Sequence, residues 1–199
     1  MKMKIALTLV ASLVLTSSAL AVKVGTLAPP FAAPGFDGQV HKLEDYKGKF
    51  VVLEWHNKDC PFVKKHYGSG NMQKLQKKWT AKNVAWLAVI SSAPGKEGYA
   101  DAAGAQADMK ATDAAPTMVL LDPKGEVAHK YDAKTTPQMV VINPDGKIIY
   151  DGAIDDKATT DKSDVATAKN YVDTALTEAL AGKSVTTAAT QPYGCSVKY

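Results

Sequence analysis

The sequence contains no arginine, so all 24 of its cationic side chains, set against 20 carboxylates, are lysines. Lysine cannot reproduce the planar guanidinium fork, which excludes sites that hold an anion through that fork. The formal excess of +4 is small and is spread along the chain. A basic patch that would favour nucleic-acid binding is therefore missing, and we expect no nucleic-acid partner.

Cysteine is almost as scarce, because only Cys60 and Cys195 occur among the 199 residues. Two thiols are too few for a disulfide-dense scaffold or for a structural zinc site built on cysteine. Apolar residues make up 46% of the chain and charged residues 22%, a balance that excludes intrinsic disorder. Without an internal repeat or a long linker, the sequence predicts one compact domain followed by a tail.

An apolar run long enough to span a membrane is also lacking. Residues 1–21 instead combine a basic start, an apolar stretch over 5–15 and a small-residue cleavage site that ends at Ala21. This pattern predicts a signal peptide, and therefore a periplasmic or secreted protein without stable membrane insertion. An uncleaved N-terminal anchor is the alternative interpretation. Export would place both thiols where disulfides form and persist.

Strand and helix patterns alternate along the remaining chain. Turn-bounded apolar runs predict buried strands over 50–55, 84–90 and 117–121, and turn sequences at 37–38 and 143–146 predict β-hairpins over 31–43 and 138–150. Helices are predicted over 61–80 with an interruption at 68–70, over 99–111, and from Val165 to a stop at Gly182. This alternation indicates an α/β fold with a mixed sheet. The tail over 183–199 has no periodicity.

Cys60 is the candidate reactive thiol. It follows a buried strand and a short polar loop, and Pro61 directly after it fits the first position of a helix. A helix N-terminus stabilises a thiolate, and nearby cations would lower the pKa of the thiol further. Those cations are Lys58, Lys64, Lys65, His56 and His66. The alternative is a buried cysteine that only packs.

Several separated segments resemble the redoxin group, the peroxiredoxin-like part of the thioredoxin superfamily. Residues 24–31, the Asp37-Gly38 step and residues 46–53 resemble its opening, and Thr136-Pro137 resembles its cis-proline loop, which faces the reactive cysteine. The resemblance runs from about 24 to 181. It implies a thioredoxin-like three-layer sandwich with a mixed central sheet and an N-terminal β-hairpin.

The domains expected on this basis are a signal peptide over 1–21, a thioredoxin-like redoxin domain over 22–182 and a C-terminal tail over 183–199. The partners implied are protein or small-molecule thiols and disulfides that pair with the cis-proline loop. No pattern in the sequence calls for a cofactor or a metal ion, and none is expected.

Differences from thioredoxins and peroxiredoxins restrict the function that the resemblance implies. Val63 stands where thioredoxins have their second cysteine, and Leu53 and Asn57 stand where peroxiredoxins have the proline and threonine of Pro-x-x-x-Thr-x-x-Cys. The peroxiredoxin arginine is missing as well. The resemblance is therefore to the subgroup whose single cysteine aligns with the first thioredoxin cysteine, and it implies thiol–disulfide exchange with at most weak peroxidase activity.

Two further residues are candidates: Glu54 on the same resemblance, and Cys195 because it is the second of only two cysteines in a chain expected to be exported. Glu54 lies six residues before Cys60, about where thioredoxins have a buried proton acceptor, although a strand-end carboxylate paired with a lysine is the alternative. Cys195 is the expected resolving cysteine: Cys60 attacks a disulfide or an oxidant, and Cys195 then displaces the product. Equally, a static Cys60–Cys195 disulfide could pin the tail and close a long loop.

Two functions from other classes compete with exchange. His56, Cys60 and His66 lie close in sequence and could bind copper, although the surrounding lysines repel a cation. A thioredoxin-like domain could also recruit a partner through the cis-proline groove without any redox chemistry. In that case Cys60 would be inert, whereas the exchange function requires a thiol whose pKa is depressed.

We expect hydrogen peroxide to oxidise Cys60 only slowly, because the arginine and threonine of the peroxiredoxin site are missing. Stopped-flow measurement of the second-order rate constant on the full chain checks this expectation, with the Cys60→Ser variant as the blank. A rate constant equal to that of a dedicated peroxiredoxin measured in parallel would contradict it.

Overall fold

The structure, a computed structural model, describes residues 23–199, and the predicted signal peptide over 1–21 lies outside the described residues. The strands are β1 Ala32–Pro34, β2 Val40–Lys42, β3 Val51–Trp55, β4 Ala85–Ile90, β5 Met118–Leu121, β6 Thr135–Thr136, β7 Met139–Ile142, β8 Ile148–Gly152 and β9 Cys195–Ser196. The α-helices are α1 Pro61–Gly68, α2 Asn71–Thr80, α3 Ala102–Ala111, α4 Glu126–Lys130 and α5 Tyr171–Leu180, with 3₁₀ turns at Leu43–Tyr46 and Lys162–Ala166.

The central sheet has five strands in the order β5-β4-β3-β7-β8. Strand β3 runs parallel to β4, and β4 runs parallel to β5, whereas β7 and β8 are antiparallel to their neighbours. Every residue of β3, β4 and β7 is buried, because these strands lie between layers on both sides. The mixed sheet expected from the alternation of strands and helices is confirmed.

Layers on both faces complete the three-layer sandwich. Helices α1, α2 and α5 cover one face, where their buried side chains pack on strand residues such as Val52, Trp86 and Val141. Helix α3 adds Ala105 and Met109 to the same face. The β1–β2 hairpin, the first 3₁₀ turn and α4 cover the other face, over a core that includes Leu53, Leu87 and Tyr131.

Two predicted helices begin later than their sequence patterns indicate. Helix α3 begins at Ala102 because the Asp101 side chain accepts a hydrogen bond from the Gly104 N–H at 2.8 Å. Asn170 caps α5 in the same way through the Asp173 N–H at 2.8 Å. Val165 therefore lies in a separate 3₁₀ turn, and its helical spacing with the residues of α5 is coincidental.

Backbone hydrogen bonds join the tail to the domain along its length, which its lack of periodicity did not predict. Backbone bonds join Ala188 and Thr190 to Asp151 on the edge strand β8, at 3.1 Å each. Further along, Val197 donates to the Lys134 carbonyl at 3.1 Å, and Ala93 donates to the Lys198 carbonyl at 2.9 Å. The tail thus crosses one end of the sheet, past β6. Over residues 23–199, no helix is long and apolar enough to cross a bilayer.

Candidate active site around Cys60

The strand-loop-helix unit holds Cys60 at the start of a helix, as the sequence predicts. Cys60 is the N-cap of α1, Pro61 is the first helical residue, and the Lys64 N–H donates to the Cys60 carbonyl at 2.9 Å. The Cys60 side chain is fully buried. Its sulfur therefore lies near the free amide groups of the first helical turn, in a site from which water is largely excluded.

Cys195 lies against Cys60 although 135 residues separate them. The two sulfurs are 2.6 Å apart, and both cysteines are free thiols. The usual S–S bond length is about 2.05 Å, so a small approach of the sulfurs would allow a bond. The Cys60 sulfur is also 3.0 Å from the Thr136 carbonyl oxygen. The structure therefore brings three of the predicted site residues together.

The strand that carries Cys195 pairs with the cis-proline loop. Strand β9 runs antiparallel to β6, with Cys195 opposite Thr136 and Ser196 opposite Thr135. The Thr136–Pro137 peptide bond is cis, as the resemblance implies. Gly194 has φ +144°, and a Cβ atom there would meet the Thr136 carbonyl oxygen at 2.1 Å. Only glycine allows the tail to approach this loop so closely.

The electrostatics of the pair place the thiolate on Cys60. Burial raises the pKa of Cys60, but hydrogen bonds from the Cys195 thiol and the Val63 N–H outweigh it and leave the pKa below its ordinary value. Burial raises the pKa of Cys195 to about 12, together with the hydrogen bond in which it keeps its proton beside Cys60. Cys60 is therefore the sulfur that more readily forms the nucleophilic thiolate, and Cys195 is the one that stays a protonated thiol.

The neighbouring cations are not the source of this shift. Lys58 forms an ion pair with Asp59 at 2.8 Å, while Lys65 and His66 face Asp155 at 3.8 and 3.9 Å. The expected contribution of these side chains is thus corrected, because carboxylates face the two lysines, and burial lowers the pKa of His66 to about 4 and leaves its ring neutral at pH 7. The Cys195 thiol and the Val63 N–H at the start of α1 lower the pKa of Cys60 instead.

Glu54 is fully buried and does not pair with a lysine, so that alternative is wrong. It accepts hydrogen bonds from the Tyr67 hydroxyl at 2.7 Å, the Trp86 indole at 2.7 Å and the Gln76 amide at 3.1 Å. Its fourth neighbour is the His56 ring, at 3.7 Å. Glu54 lies on the helix-covered face that Cys60 shares, but among residues 23–199 it makes no hydrogen bond to either sulfur.

His56 forms a buried charge network that the sequence did not reveal. Its Nε2 atom is 2.8 Å from a carboxylate oxygen of Asp108, on α3. Burial alone would lower the pKa of His56, but the hydrogen bond to Asp108 and the nearby carboxylate of Glu54 outweigh it and raise the pKa to about 9. Asp108 shows no local signal in the sequence, because it reaches the site only through the packing of α3.

His56 and His66 are therefore engaged with other side chains rather than with Cys60. His66 is paired with the Asn71 amide at 2.9 Å and the Tyr193 hydroxyl at 3.3 Å. Within the described part of the chain, no group of three His, Cys, Asp or Glu side chains is arranged to hold a metal ion. The described side chains therefore provide no set of ligands that would support the copper hypothesis.

The matching family model decides between the redoxin group and unrelated α/β folds. A model of the AhpC/TSA family matches residues 24–151. The chain belongs to the AhpC/TSA family. This match includes Cys60 and the cis-proline loop of the AhpC/TSA domain but ends before the tail that carries Cys195. No curated protein matches the chain.

Solved structures extend the comparison. An uncharacterized conserved protein from Geobacillus kaustophilus is 27% identical with a TM-score of 0.75, over 90% of this chain and 94% of that one. A protein from Chlorobium tepidum assigned as thiol:disulfide interchange protein DsbE is 28% identical with a TM-score of 0.54, over 66% and 85%. The thioredoxin domain of a thiol-disulfide oxidoreductase from Bacteroides vulgatus, 19% identical with a TM-score of 0.53 over 66% and 89%, shares the fold. The predicted thioredoxin-like fold is confirmed.

The charged state of His56 predicts a pH dependence of stability. A histidine whose pKa rises from 6.5 to about 9 on folding stabilises the native state fully below pH 6.5. That stabilisation is lost as the pH rises through about 9 and amounts to about 3 kcal/mol. Urea unfolding at several pH values should therefore show a decline that the His56→Gln variant lacks.

The exposed His129 supplies the matched control for this experiment. His129→Gln should follow the pH dependence of the parent chain. Because other groups titrate in the same range, the quantity compared is the difference in the free energy of unfolding between variant and parent. If that difference were constant from pH 6 to pH 9.5 for His56→Gln, the charged network would be refuted.

Proposed function

We propose that the chain is an exported thiol–disulfide oxidoreductase in which Cys60 is the nucleophile and Cys195 the resolving cysteine. The observation that carries this proposal is the 2.6 Å separation of the two sulfurs, on a tail strand paired with the cis-proline loop. Family membership, and the similarity to a protein assigned as a thiol:disulfide interchange protein, support the same chemistry.

The exchange proceeds in two displacements. The Cys60 thiolate attacks one sulfur of a partner disulfide, which forms a mixed disulfide and releases the other partner sulfur as a thiolate. Cys195 then gives up its proton and attacks the Cys60 sulfur, which forms the Cys60–Cys195 disulfide and releases the second partner thiol. The partner is reduced by two electrons, and an external thiol reductant restores the two cysteines.

The supporting residues position these groups. Pro61 begins the helix that has Cys60 at its N-terminus, and Thr136 and Pro137 present the edge on which an extended partner segment pairs. Glu54 acts indirectly, because its hydrogen bond from Tyr67 ties β3 to α1. Cys60 is fully buried, so a partner disulfide reaches it only when the tail leaves the groove over β6.

The reduction potential of the pair tests the proposal. The full mature chain is equilibrated in thiol–disulfide buffers and its thiols are trapped with a mass-tagged alkylating agent. We expect a Cys60–Cys195 disulfide with a potential between about −120 and −270 mV, the range of catalytic exchangers. The Cys195→Ser variant is the control, because it should show no such transition.

Two results would contradict the proposal. A potential below about −300 mV would make the disulfide a static staple of the tail. Two free thiols under all buffer conditions would remove the resolving role of Cys195 and favour a non-enzymatic binding module.

A further inference from the structure

The tail inserts Tyr193 into a recess beside Cys60, two residues before Cys195. The Tyr193 hydroxyl donates to a carboxylate oxygen of Asp155 and lies 3.3 Å from Nε2 of His66. Its ring packs edge-on against Phe62 with the centroids 5.7 Å apart, and the Lys65 ammonium lies 5.7 Å from the ring centroid. Phe62, Lys65, His66 and Asp155 together form the tyrosine recess.

The recess is built from groups that are costly to bury without a partner. The side chains of Lys65, His66 and Asp155 are at most 1% exposed. The Lys65 ammonium donates to the Lys157 carbonyl at 2.6 Å and lies 3.8 Å from Asp155, whose second oxygen has no hydrogen-bond partner. The first oxygen depends on the Tyr193 hydroxyl and on the Lys157 N–H at 3.0 Å. A phenol therefore fits this recess in both shape and polarity.

The spacing from this recess to the cysteine is fixed by the backbone. Gly194 passes over the Thr136 carbonyl, where a Cβ atom would lie 2.1 Å from the oxygen. Cys195 then pairs with Thr136, and Val197 continues the pairing through the Lys134 carbonyl. The tail segment bound here has a tyrosine, a glycine and a cysteine in consecutive positions, and the glycine leaves no room for a Cβ atom.

We propose that the tyrosine recess is a specificity subsite of the Cys60 groove, filled by Tyr193 of the chain's own tail, and that it selects extended Tyr-Gly-Cys segments. The inference rests on the proposed function, since Cys60 must react with the cysteine that the groove presents. In the chain itself the subsite positions Cys195 on Cys60. A partner protein with an accessible Tyr-Gly-Cys segment would occupy the same recess after displacing the tail.

Model peptides test the selection on a full chain whose recess is vacant, the Tyr193→Ala, Cys195→Ser double variant. The probes are peptides with the sequence of residues 191–198, each with its cysteine bound to thionitrobenzoate. Attack by the Cys60 thiolate on the peptide sulfur forms a mixed disulfide and releases coloured thionitrobenzoate. We expect the Tyr-Gly-Cys peptide to react at least tenfold faster than its Ala-Gly-Cys and Tyr-Ala-Cys counterparts, with Phe-Gly-Cys between.

The outcomes separate the two proposals. Equal rates for all peptides would overturn the subsite while leaving thiol–disulfide exchange intact. No release above that of the same double variant carrying Cys60→Ser as well, which has no thiol, would overturn exchange itself. A Phe62→Ala change in the same background should remove most of the preference for tyrosine.

A second measurement uses single variants with both cysteines present. Tyr193→Ala should lower the equilibrium constant for forming the Cys60–Cys195 disulfide from glutathione disulfide at least tenfold, because the cysteine is no longer held in place. Tyr193→Phe should restore part of the loss. Tyr199→Ala is the matched control, since Tyr199 anchors the tail on Gly125 and His129 instead. Equal losses for Tyr193→Ala and Tyr199→Ala would overturn the proposal.

Discussion

The pairing of β9 with β6 is the interaction on which the rest of the site depends. It is only two residues long, yet it places Cys195 opposite Thr136 and both next to the Cys60 sulfur. Neither strand could hold this arrangement alone, because a two-residue ladder contributes few hydrogen bonds. Backbone bonds from Asp151, Lys134 and Ala93, and the side chains of the tyrosine recess, supply the remaining anchorage.

Two buried charge networks lie beside or within helix α1, which begins at the reactive thiol. One contains Glu54, His56 and Asp108, and the other contains Lys65, His66 and Asp155. In each network carboxylates lie beside the cationic side chain, so the thiolate on Cys60 is stabilised by hydrogen bonds rather than by a cation. A chain without arginine can therefore still depress the pKa of its thiol, because it uses the Val63 N–H and the Cys195 thiol.

Sequence reasoning was most successful where the pattern is local. The apolar run of β3, the proline after Cys60 and the Gly68–Gly70 break between α1 and α2 all predict the elements found. Such elements can be predicted because they depend on periodicity and backbone preference within about ten residues. The central sheet and the position of Cys60 at a helix start could therefore be predicted from the amino-acid sequence alone.

The parts of the site that sequence reasoning missed depend on contacts between distant segments. Strand β9 is too short to show alternation, and Tyr193 and Asp108 are ordinary residues until the tail and α3 are packed against α1. Val165 shows the opposite error. Its helical spacing with the residues of α5 suggests one helix, but Val165 lies in a separate 3₁₀ turn. The one feature of the sequence that pointed to the tail was Cys195, because the chain has only two cysteines.

The central claim is that this tail places Cys195 on Cys60 within a single chain. Peptide mapping under non-reducing conditions, after mild oxidation of the dilute full chain, tests it most directly. We expect one linked pair of peptides, containing Cys60 and Cys195, from protein that remains a monomer on a non-reducing gel. Linkage between chains, or two unlinked cysteine peptides after the same oxidation, would contradict it.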